Sequence, residues 1–287
     1  MKTIIIFNPN STGDSKANAT SLAAQLRKEG VETVLKKTTH AGHGEELAAK
    51  YAKQNEPLVL ISSSGDGGYH EVVNGALAQG QSKLVVGVLP SGNANDHYVA
   101  IGTDSIVEAI RDQKFHKIDT IKVTATIKGK PWVRYAHSYV GIGVTATAAK
   151  SLTEDRPNVI TEKLIVARSL ASFSHVKIKE NGKTHRYSSI IFGNVQTMSK
   201  VIKLSNENSL TDGKFEMTSI RLRSKLRLIA YLLTAATVGL KHSESLSKYE
   251  CIAVSKLPVQ LDGEVYTIDA GSSVSVESMK QNLHCVV

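Results

Sequence analysis

The chain has 287 residues, 41% of them hydrophobic, and carries a net charge of +9 with a pI near 9.4. These values indicate a globular protein long enough for two domains, with a surface that attracts nucleotides or anionic lipid head groups. Cys251 and Cys285 lack the spacing of a disulfide framework or a metal clip, so we expect a reducing, cytoplasmic location.

The first 120 residues alternate between strand-like and helical patterns. Short apolar runs predict strands, and apolar residues at helical spacing predict helices. Strands are predicted at 2–7, 31–36, 58–61 and 84–89, and helices at 15–29, 45–53 and 71–78. Such alternation is typical of a Rossmann-like α/β domain, in which helices cover a parallel sheet. The first apolar run is too short for a signal peptide or a membrane span.

The second half of the chain changes to period-two alternation, which predicts antiparallel strands. One hairpin is predicted from 121–127 and 132–135, and another is marked by the turn Asn181-Gly182. Further strands are predicted at 176–179, 186–192, 251–254, 259–266 and 272–276. We therefore expect an α/β domain at 1–122 and a mainly antiparallel β-sandwich domain at 123–287, whose last residues can return to the first domain.

The turn Gly65-Asp66-Gly67-Gly68 stands between a predicted buried strand and a predicted helix. Glycine tolerates positive φ and lets a ligand approach the backbone, and the first N–H groups of a helix attract anions. The Asp66 carboxylate repels a phosphate unless a cation lies between them. The turn therefore predicts a site for a phosphate bound through Mg²⁺, with a solvated turn as the alternative.

Polar turns follow four of the predicted strands of the first domain. Ligands of open α/β sheets bind beyond the carboxyl ends of the strands, so we expect these turns to meet at one edge of the sheet. They are residues 8–13, 38–39, 65–68 and 90–96.

Five short elements, in order along nearly the whole chain, resemble those of the diacylglycerol kinase catalytic-domain family, which includes bacterial lipid kinases and sphingosine kinases. The family's opening NPxSG, its GGDGTxNEVVNG, its PxGTxND, an acidic residue that ends its nucleotide domain and a late DGE are all represented. The corresponding residues are Asn8 to Gly13, Gly65 to Gly75, Pro90 to Asp96, Ile118-Asp119-Thr120, and Leu261-Asp262-Gly263-Glu264.

The resemblance implies transfer of the γ-phosphoryl group of ATP to a lipid hydroxyl, with Mg²⁺, in a cleft between a nucleotide domain and a β-sandwich domain. Glu264 would be the general base that accepts the proton of the lipid alcohol. Asp66, Asp96 and Asp119 would form an acidic network that holds Mg²⁺ and water against the triphosphate. The residues that would line the nucleotide are Asn8, Ser11, Thr38, Gly65, Asp66, Gly67, Gly68, Glu71, Gly92 and Asn93.

Some of these assignments leave an alternative open. Glu71 can instead be a carboxylate near a helix start. The sequence departs from the family where GGDGT becomes Ser64-Gly65-Asp66-Gly67-Gly68 and where Asn93 replaces a threonine, so two hydroxyls that could bond phosphate are missing. A structural Mg²⁺ site is expected at Ser209, Asp212 and the carbonyl of Lys214, with a simple Asp-Gly turn as the alternative.

A basic segment with Arg221, Arg223, Lys225 and Arg227 precedes the apolar stretch 228–240. It predicts peripheral contact with an anionic membrane surface, or else a buried helix. No nucleic-acid partner is expected, because the chain shows no recognition helix, zinc spacing or aromatic-basic ribbon of the known modules. A homodimer is left open, as are two other functions: a lipid or nucleotide sensor with weakened catalysis, and a kinase of a soluble hydroxyl, as in the related NAD kinases.

Overall fold

The computed structural model describes residues 1–9, 14–54, 56–78, 83–91, 95–143, 146, 175–198, 202–203, 209–221 and 243–287. The chain divides into two compact units. The first comprises Met1–Thr120 and Lys280–Val287, and the second comprises Ile121–Met279.

The first unit is built on a parallel sheet. Its strands are β1 (Lys2–Phe7), β2 (Thr33–Lys37), β3 (Leu58–Ser64) and β4 (Leu84–Pro90), in the spatial order β2-β1-β3-β4. Its helices are α1 (Ser15–Lys28), α2 (His43–Gln54), α3 (Asp66–Leu77), α4 (Asp96–Ile101) and α5 (Ile106–Arg111). All seven residues of β3 are buried, as expected for a strand covered on both faces. The predicted parallel α/β architecture is confirmed.

Close helix packing over this sheet depends on a glycine. Helices α2 and α3 lie side by side, and a Cβ atom at Gly75 would stand 2.3 Å from the carbonyl oxygen of Glu45 and 2.7 Å from the Cβ of Ala48. No side chain fits at that distance, because the obstacle is the backbone of α2. Gly75 therefore sets how near α3 approaches α2.

The second unit consists of antiparallel strands in two large sheets and one short two-stranded sheet. Its strands are β5 (Phe115–Ile127), β6 (Lys130–Ala136), β7 (Tyr139–Gly143), β8 (Val176–Glu180), β9 (Lys183–Tyr187), β10 (Ser189–Gly193), β11 (Thr197–Met198), β12 (Ile202–Lys203), β13 (Phe215–Ile220), β14 (Ser243–Leu246), β15 (Lys248–Ala253), β16 (Leu257–Leu261), β17 (Glu264–Ile268) and β18 (Ser273–Val286). The chain enters this unit within β5 and leaves it within β18. Strands β14-β13-β10-β7-β16-β17 form one sheet, while β5, β6, β8, β9, β15 and β18 belong to another.

A shared core joins the inner faces of these two sheets. The ring of Phe192 in β10 lies 5.4 Å from the ring of Phe215 in β13 and 5.2 Å from that of Tyr249, which belongs to β15 of the other sheet. Buried residues of both sheets contribute to one hydrophobic cluster. The β-sandwich predicted for the second half is confirmed.

Several elements differ from the sequence prediction in their bounds. Strand β5 begins at Phe115 rather than at residue 121, and β18 continues to Val286 rather than ending at residue 276. Helix α3 begins at Asp66 rather than at Glu71, so Asp66, Gly67 and Gly68 belong to the first turn of the helix. The strand predicted at 259–266 is a hairpin, because Asp262 and Gly263 adopt φ values of 51° and 96° and form a two-residue turn. The strand predicted at 186–192 is divided at Ser188 into β9 and β10, which pair in different sheets.

Candidate active site

The turn Gly65-Asp66-Gly67-Gly68 follows the carboxyl end of β3, and Asp66 is the first residue of α3. The first N–H groups of a helix have no partner within the helix, so this turn presents donors as well as a carboxylate. The carboxylate oxygen Oδ2 of Asp66 accepts a 2.9 Å hydrogen bond from the backbone N–H of Asn95, a residue held at a φ of 54°. Asp66 therefore fixes the backbone that leads into α4, next to the predicted phosphate turn.

Buried serines fasten the strand ends beneath this turn. Ser63 donates a 2.8 Å hydrogen bond to the carbonyl of Ser15, and the hydroxyl of Ser15 donates back to the carbonyl of Ser63. Ser91, at the end of β4, accepts a 3.0 Å bond from the side-chain amide of Asn18. These bonds tie the start of α1 to the ends of two strands. Sequence reasoning missed them, although three consecutive serines at the end of an apolar strand are a readable signal.

Glu71 holds the loop before α2. Its two carboxylate oxygens accept hydrogen bonds of 2.8 Å from the N–H of Gly42 and 2.9 Å from the N–H of Gly44. A Cβ at Gly44 would lie 2.7 Å from the carboxylate, so only glycine permits this approach. Glu71 is the sixth residue of α3, so its carboxylate does not lie at the start of that helix; it bonds the backbone where the loop that follows Thr38 enters α2.

Thr38 and Asn8 follow neighbouring strands of the sheet. The backbone N–H of Thr38 donates a 2.9 Å bond to the carbonyl of Phe7, the last residue of β1, and Asn8 is the next residue along the chain. Gly65, Gly67 and Gly68 lie half-buried around Asp66. The structure therefore brings these predicted residues to one edge of the sheet. Ser11, Gly92 and Asn93 lie outside the described residues, as do Arg223, Lys225, Arg227 and the stretch 228–240.

Asp96 and Asp119 are both buried carboxylates of the first unit. Asp96 is the first residue of α4, and an oxygen of Asp119 accepts a 2.7 Å bond from the N–H of Gln281. Within the part of the chain that the structure describes, no three His, Cys, Asp or Glu side chains are grouped to hold a metal ion. The network of Asp66, Asp96 and Asp119 therefore stays a prediction, as does the binding of Mg²⁺ through one or two carboxylates together with phosphate oxygens and water, the usual mode for that ion.

The Asp262 carboxylate organises the second unit around the DGE element. It is only 3% exposed and accepts hydrogen bonds from the backbone N–H groups of His137 (2.9 Å), Ser138 (2.9 Å) and Tyr139 (3.1 Å). The turn between β16 and β17 is thereby anchored to the start of β7. Glu264, two residues later, is exposed at the start of β17, so its carboxylate is set on a fixed turn and open to solvent.

The Asp212 loop forms local hydrogen bonds. Asp212 accepts a 2.9 Å bond from the N–H of Lys214, and the hydroxyl of Ser209 accepts a 3.2 Å bond from the N–H of Thr211. Bonds of this kind, from side chains to the backbone two residues on, are typical of Asx and serine turns. This geometry favours the interpretation of Asp212-Gly213 as a simple turn, and the structural Mg²⁺ site stays a prediction.

Comparison with known proteins agrees with the geometry of the first unit. Residues 2–123 match the diacylglycerol kinase catalytic domain. The chain shows distant homology to this domain family. Over 277 residues the chain is 26% identical to a diacylglycerol kinase of Staphylococcus carnosus, covering 91% of this chain and 87% of that protein. It is also 23% identical to a diacylglycerol kinase of Bacillus subtilis, covering 99% and 95% of the two chains.

The fold is shared with a solved family structure. The crystal structure of a diacylglycerol kinase from Bacillus anthracis superposes with a TM-score of 0.71 at 16% identity, covering 99% of this chain and 96% of that one. The chain is thus a distant homologue of diacylglycerol kinases with the same two-part fold. Among the described residues, no helix has the length and apolar character needed to cross a membrane.

Proposed function

We propose that the protein is an ATP-dependent lipid kinase that transfers the γ-phosphoryl group to a lipid hydroxyl with Mg²⁺. The observation that carries this proposal is the placement of Asp66 in the first turn of α3, within the part of the chain that matches the family. That turn combines helical N–H donors, which favour phosphate, with a carboxylate, which favours a cation. A metal-bound phosphate satisfies both groups, because its oxygens accept from the N–H donors and its cation binds the carboxylate.

In this proposal Asp66 would hold Mg²⁺ directly or through water, and Asp96 and Asp119 would hold it through water. The bound ion would supply charge neutralisation for the transferred phosphoryl group. The remaining edge of the sheet receives the nucleotide, with Asn8, Thr38 and the glycines beside Asp66 nearest to it. Glu71 contributes by fixing the loop that follows Thr38, since both its oxygens are bonded to that backbone.

Glu264 is proposed as the general base. A lipid alcohol is a weak nucleophile at neutral pH, so a carboxylate that accepts its proton lowers the barrier to attack. The three backbone N–H groups bonded to Asp262 fix the turn that carries Glu264. Such a rigid support is what a proton acceptor needs to stay within reach of its substrate.

Peripheral membrane contact is proposed for an exposed face of the second unit, in a protein located in the cytoplasm. Lys177 pairs with Arg186 across the β8–β9 hairpin, and Lys179 pairs with Ile252 of β15. Ile252 and the nearby Val254 are 42% and 44% exposed. Cations beside exposed aliphatic side chains suit an anionic lipid surface. We expect the wild-type protein to sediment with phosphatidylglycerol vesicles. We expect a smaller fraction of the Lys179→Glu variant to sediment with them.

The kinase proposal is tested by incubating the protein with γ-labelled ATP, Mg²⁺ and a bacterial lipid extract. We expect labelled lipid from the wild type and from the control Glu244→Gln, whose exposed carboxylate lies in β14. Glu264→Gln should abolish labelling while ATP still binds, because the amide keeps the shape but accepts no proton. Asp66→Ala should abolish labelling as well. ATP binding by the wild type without labelled lipid would contradict the proposal and favour a nucleotide-binding sensor.

A further inference from the structure

The second unit contains a cavity at one edge of its β-sandwich. Strand β9 is the last strand in the order of one sheet, and Arg221 directly follows β13 of the other sheet. The cavity has a volume of about 680 Å³, which falls within the roughly 300 to 1,000 Å³ of small-molecule sites. The described residues that line it are His175, Thr184, His185, Arg186 and Arg221. This described lining is hydrophilic and contains no carboxylate, so it suits an anion.

The guanidinium group of Arg221 is held in place by Tyr187. Its Cζ atom lies 4.6 Å from the centre of the Tyr187 ring, in a cation–π contact, and one of its N–H groups donates to the Tyr187 hydroxyl. A guanidinium group has five N–H donors, and within the described part of the chain the other four have no acceptor. Arg221 is therefore oriented in the cavity while most of its donors are left for a ligand.

The nearest carboxylate of this cluster, that of Glu180, is bonded to tyrosines and not to Arg221. It accepts a 2.9 Å hydrogen bond from the hydroxyl of Tyr187 and another from the hydroxyl of Tyr249, and one of its oxygens lies 3.9 Å from Nε2 of His185. The Tyr187 hydroxyl thus stands between the two charges, since it donates to Glu180 and accepts from Arg221. The positive charge of Arg221 keeps no direct counterion among the described residues.

Arg186 brings a second guanidinium group to the same cavity. It is exposed on β9 and forms no ion pair in the part of the chain that the structure describes. Two cations that line one cavity repel each other, and an anion bound between them removes that repulsion. The planar fork of a guanidinium group matches two oxygens of a phosphate, and the hydroxyl of Thr184 can add a further donor.

We propose that this cavity binds the phosphate group of a soluble phosphate ester, held by Arg221 and Arg186. The proposal goes beyond the kinase function, whose phosphate turn belongs to the first unit. The volume of the cavity exceeds what one inorganic phosphate fills, so the organic part of the ester has room beside the hydrophilic lining. Tyr187 is a positioning residue in this site, because it fixes Arg221 and separates it from Glu180.

The test measures the binding of inorganic phosphate and of glucose 6-phosphate to the full chain by calorimetry. Arg221→Lys keeps the charge but loses the fork, and Arg186→Gln removes one charge from the cavity. Lys130→Gln is the matched control, because it removes an exposed charge of the same unit outside the cavity. We expect the wild type and the control to bind both probes alike, and each arginine variant to bind them roughly tenfold more weakly. Arg186→Gln should melt as the wild type does, so the test holds even if Arg221→Lys is unstable.

Equal affinity of the wild type and both arginine variants would overturn the proposal, because phosphate would then bind elsewhere. Failure of the wild type to bind glucose 6-phosphate would overturn it as well. Sedimentation with vesicles that contain phosphatidic acid distinguishes a lipid source of the phosphate: if the arginine variants lose sedimentation and neither soluble probe binds, the ligand is a lipid head group and the proposed soluble ester is wrong. None of these readouts involves phosphoryl transfer, so the failure of this proposal and the failure of the kinase function are separate results.

Discussion

Replacing Asp262 by asparagine is expected to destabilise the second unit far more than an isosteric change usually does. The buried carboxylate accepts hydrogen bonds from the N–H groups of His137, Ser138 and Tyr139. An asparagine oxygen in the place of Oδ1 still accepts the bonds from Ser138 and Tyr139, but without charge, at a loss of about 1 kcal/mol each. The NH₂ group of the asparagine would take the place of Oδ2 and face the backbone N–H of His137. That N–H would then lose its acceptor and stay buried and unsatisfied, which destabilises the fold by about 2 to 4 kcal/mol more.

The expected total is about 4 to 6 kcal/mol, a large part of the 5 to 15 kcal/mol by which domains are usually stable. Urea denaturation followed by circular dichroism measures this loss directly. Asp269→Asn is the matched control, because Asp269 accepts one 2.8 Å bond, from the N–H of Gly129, at an exposed site. If Asp262→Asn costs no more than this control, the reasoning that assigns an anchoring role to Asp262 is refuted.

Three further predictions concern the first unit and the buried thiols. Gly75→Ala should lower the urea midpoint strongly, because its methyl group meets the backbone of α2; an unchanged midpoint would mean that the helices separate at little cost. Burial raises the pKa of Cys251 and Cys285 to about 12, so neither thiol should react with a disulfide reagent until urea unfolds the protein. Burial, reinforced by nearby cationic groups, lowers the pKa of His284 from 6.5. The neutral His284 side chain is therefore favoured in the folded state, and its contribution to stability is complete above pH 6.5 and is lost as the pH falls through the lower folded pKa. As the pH is lowered, the melting temperature of His284→Asn should fall less than that of the wild type.

The sequence was informative where local chemistry decides the structure. The apolar runs of β1, β3 and β4 and the polar turns that follow them predicted both the parallel sheet and the edge at which Asp66 lies, because buried parallel strands read as continuous apolar segments. The turn Asn181-Gly182 likewise predicted the β8–β9 hairpin. In these cases the signal lies in neighbouring residues.

Contacts between residues distant in sequence could not be read in the same way. Nothing local shows that Glu71 bonds the backbone of Gly42 and Gly44, since the partners lie 27 to 29 residues away. The hairpin at Asp262-Gly263 has a local signal, since Asp-Gly is a typical two-residue hairpin turn, but the flanking apolar residues favour one continuous strand. The glycine at position 68 is understood only through the Ser64 side chain, because a Cβ atom built on Gly68 would lie 2.5 Å from the hydroxyl oxygen of Ser64, and the position of that side chain depends on how β3 meets α3.

The family's signature carboxylates are first of all hydrogen-bond acceptors for the backbone in this chain. Asp66, Glu71, Asp119 and Asp262 each accept at least one backbone N–H from a separate segment, whereas Glu264 is exposed on a turn that another of them anchors. Loss of activity after removing one of the four would therefore not distinguish a metal ligand from a loop anchor. A role in chemistry follows only where activity falls and the melting temperature does not, and by its exposure Glu264 is the carboxylate for which that separation is expected to be cleanest.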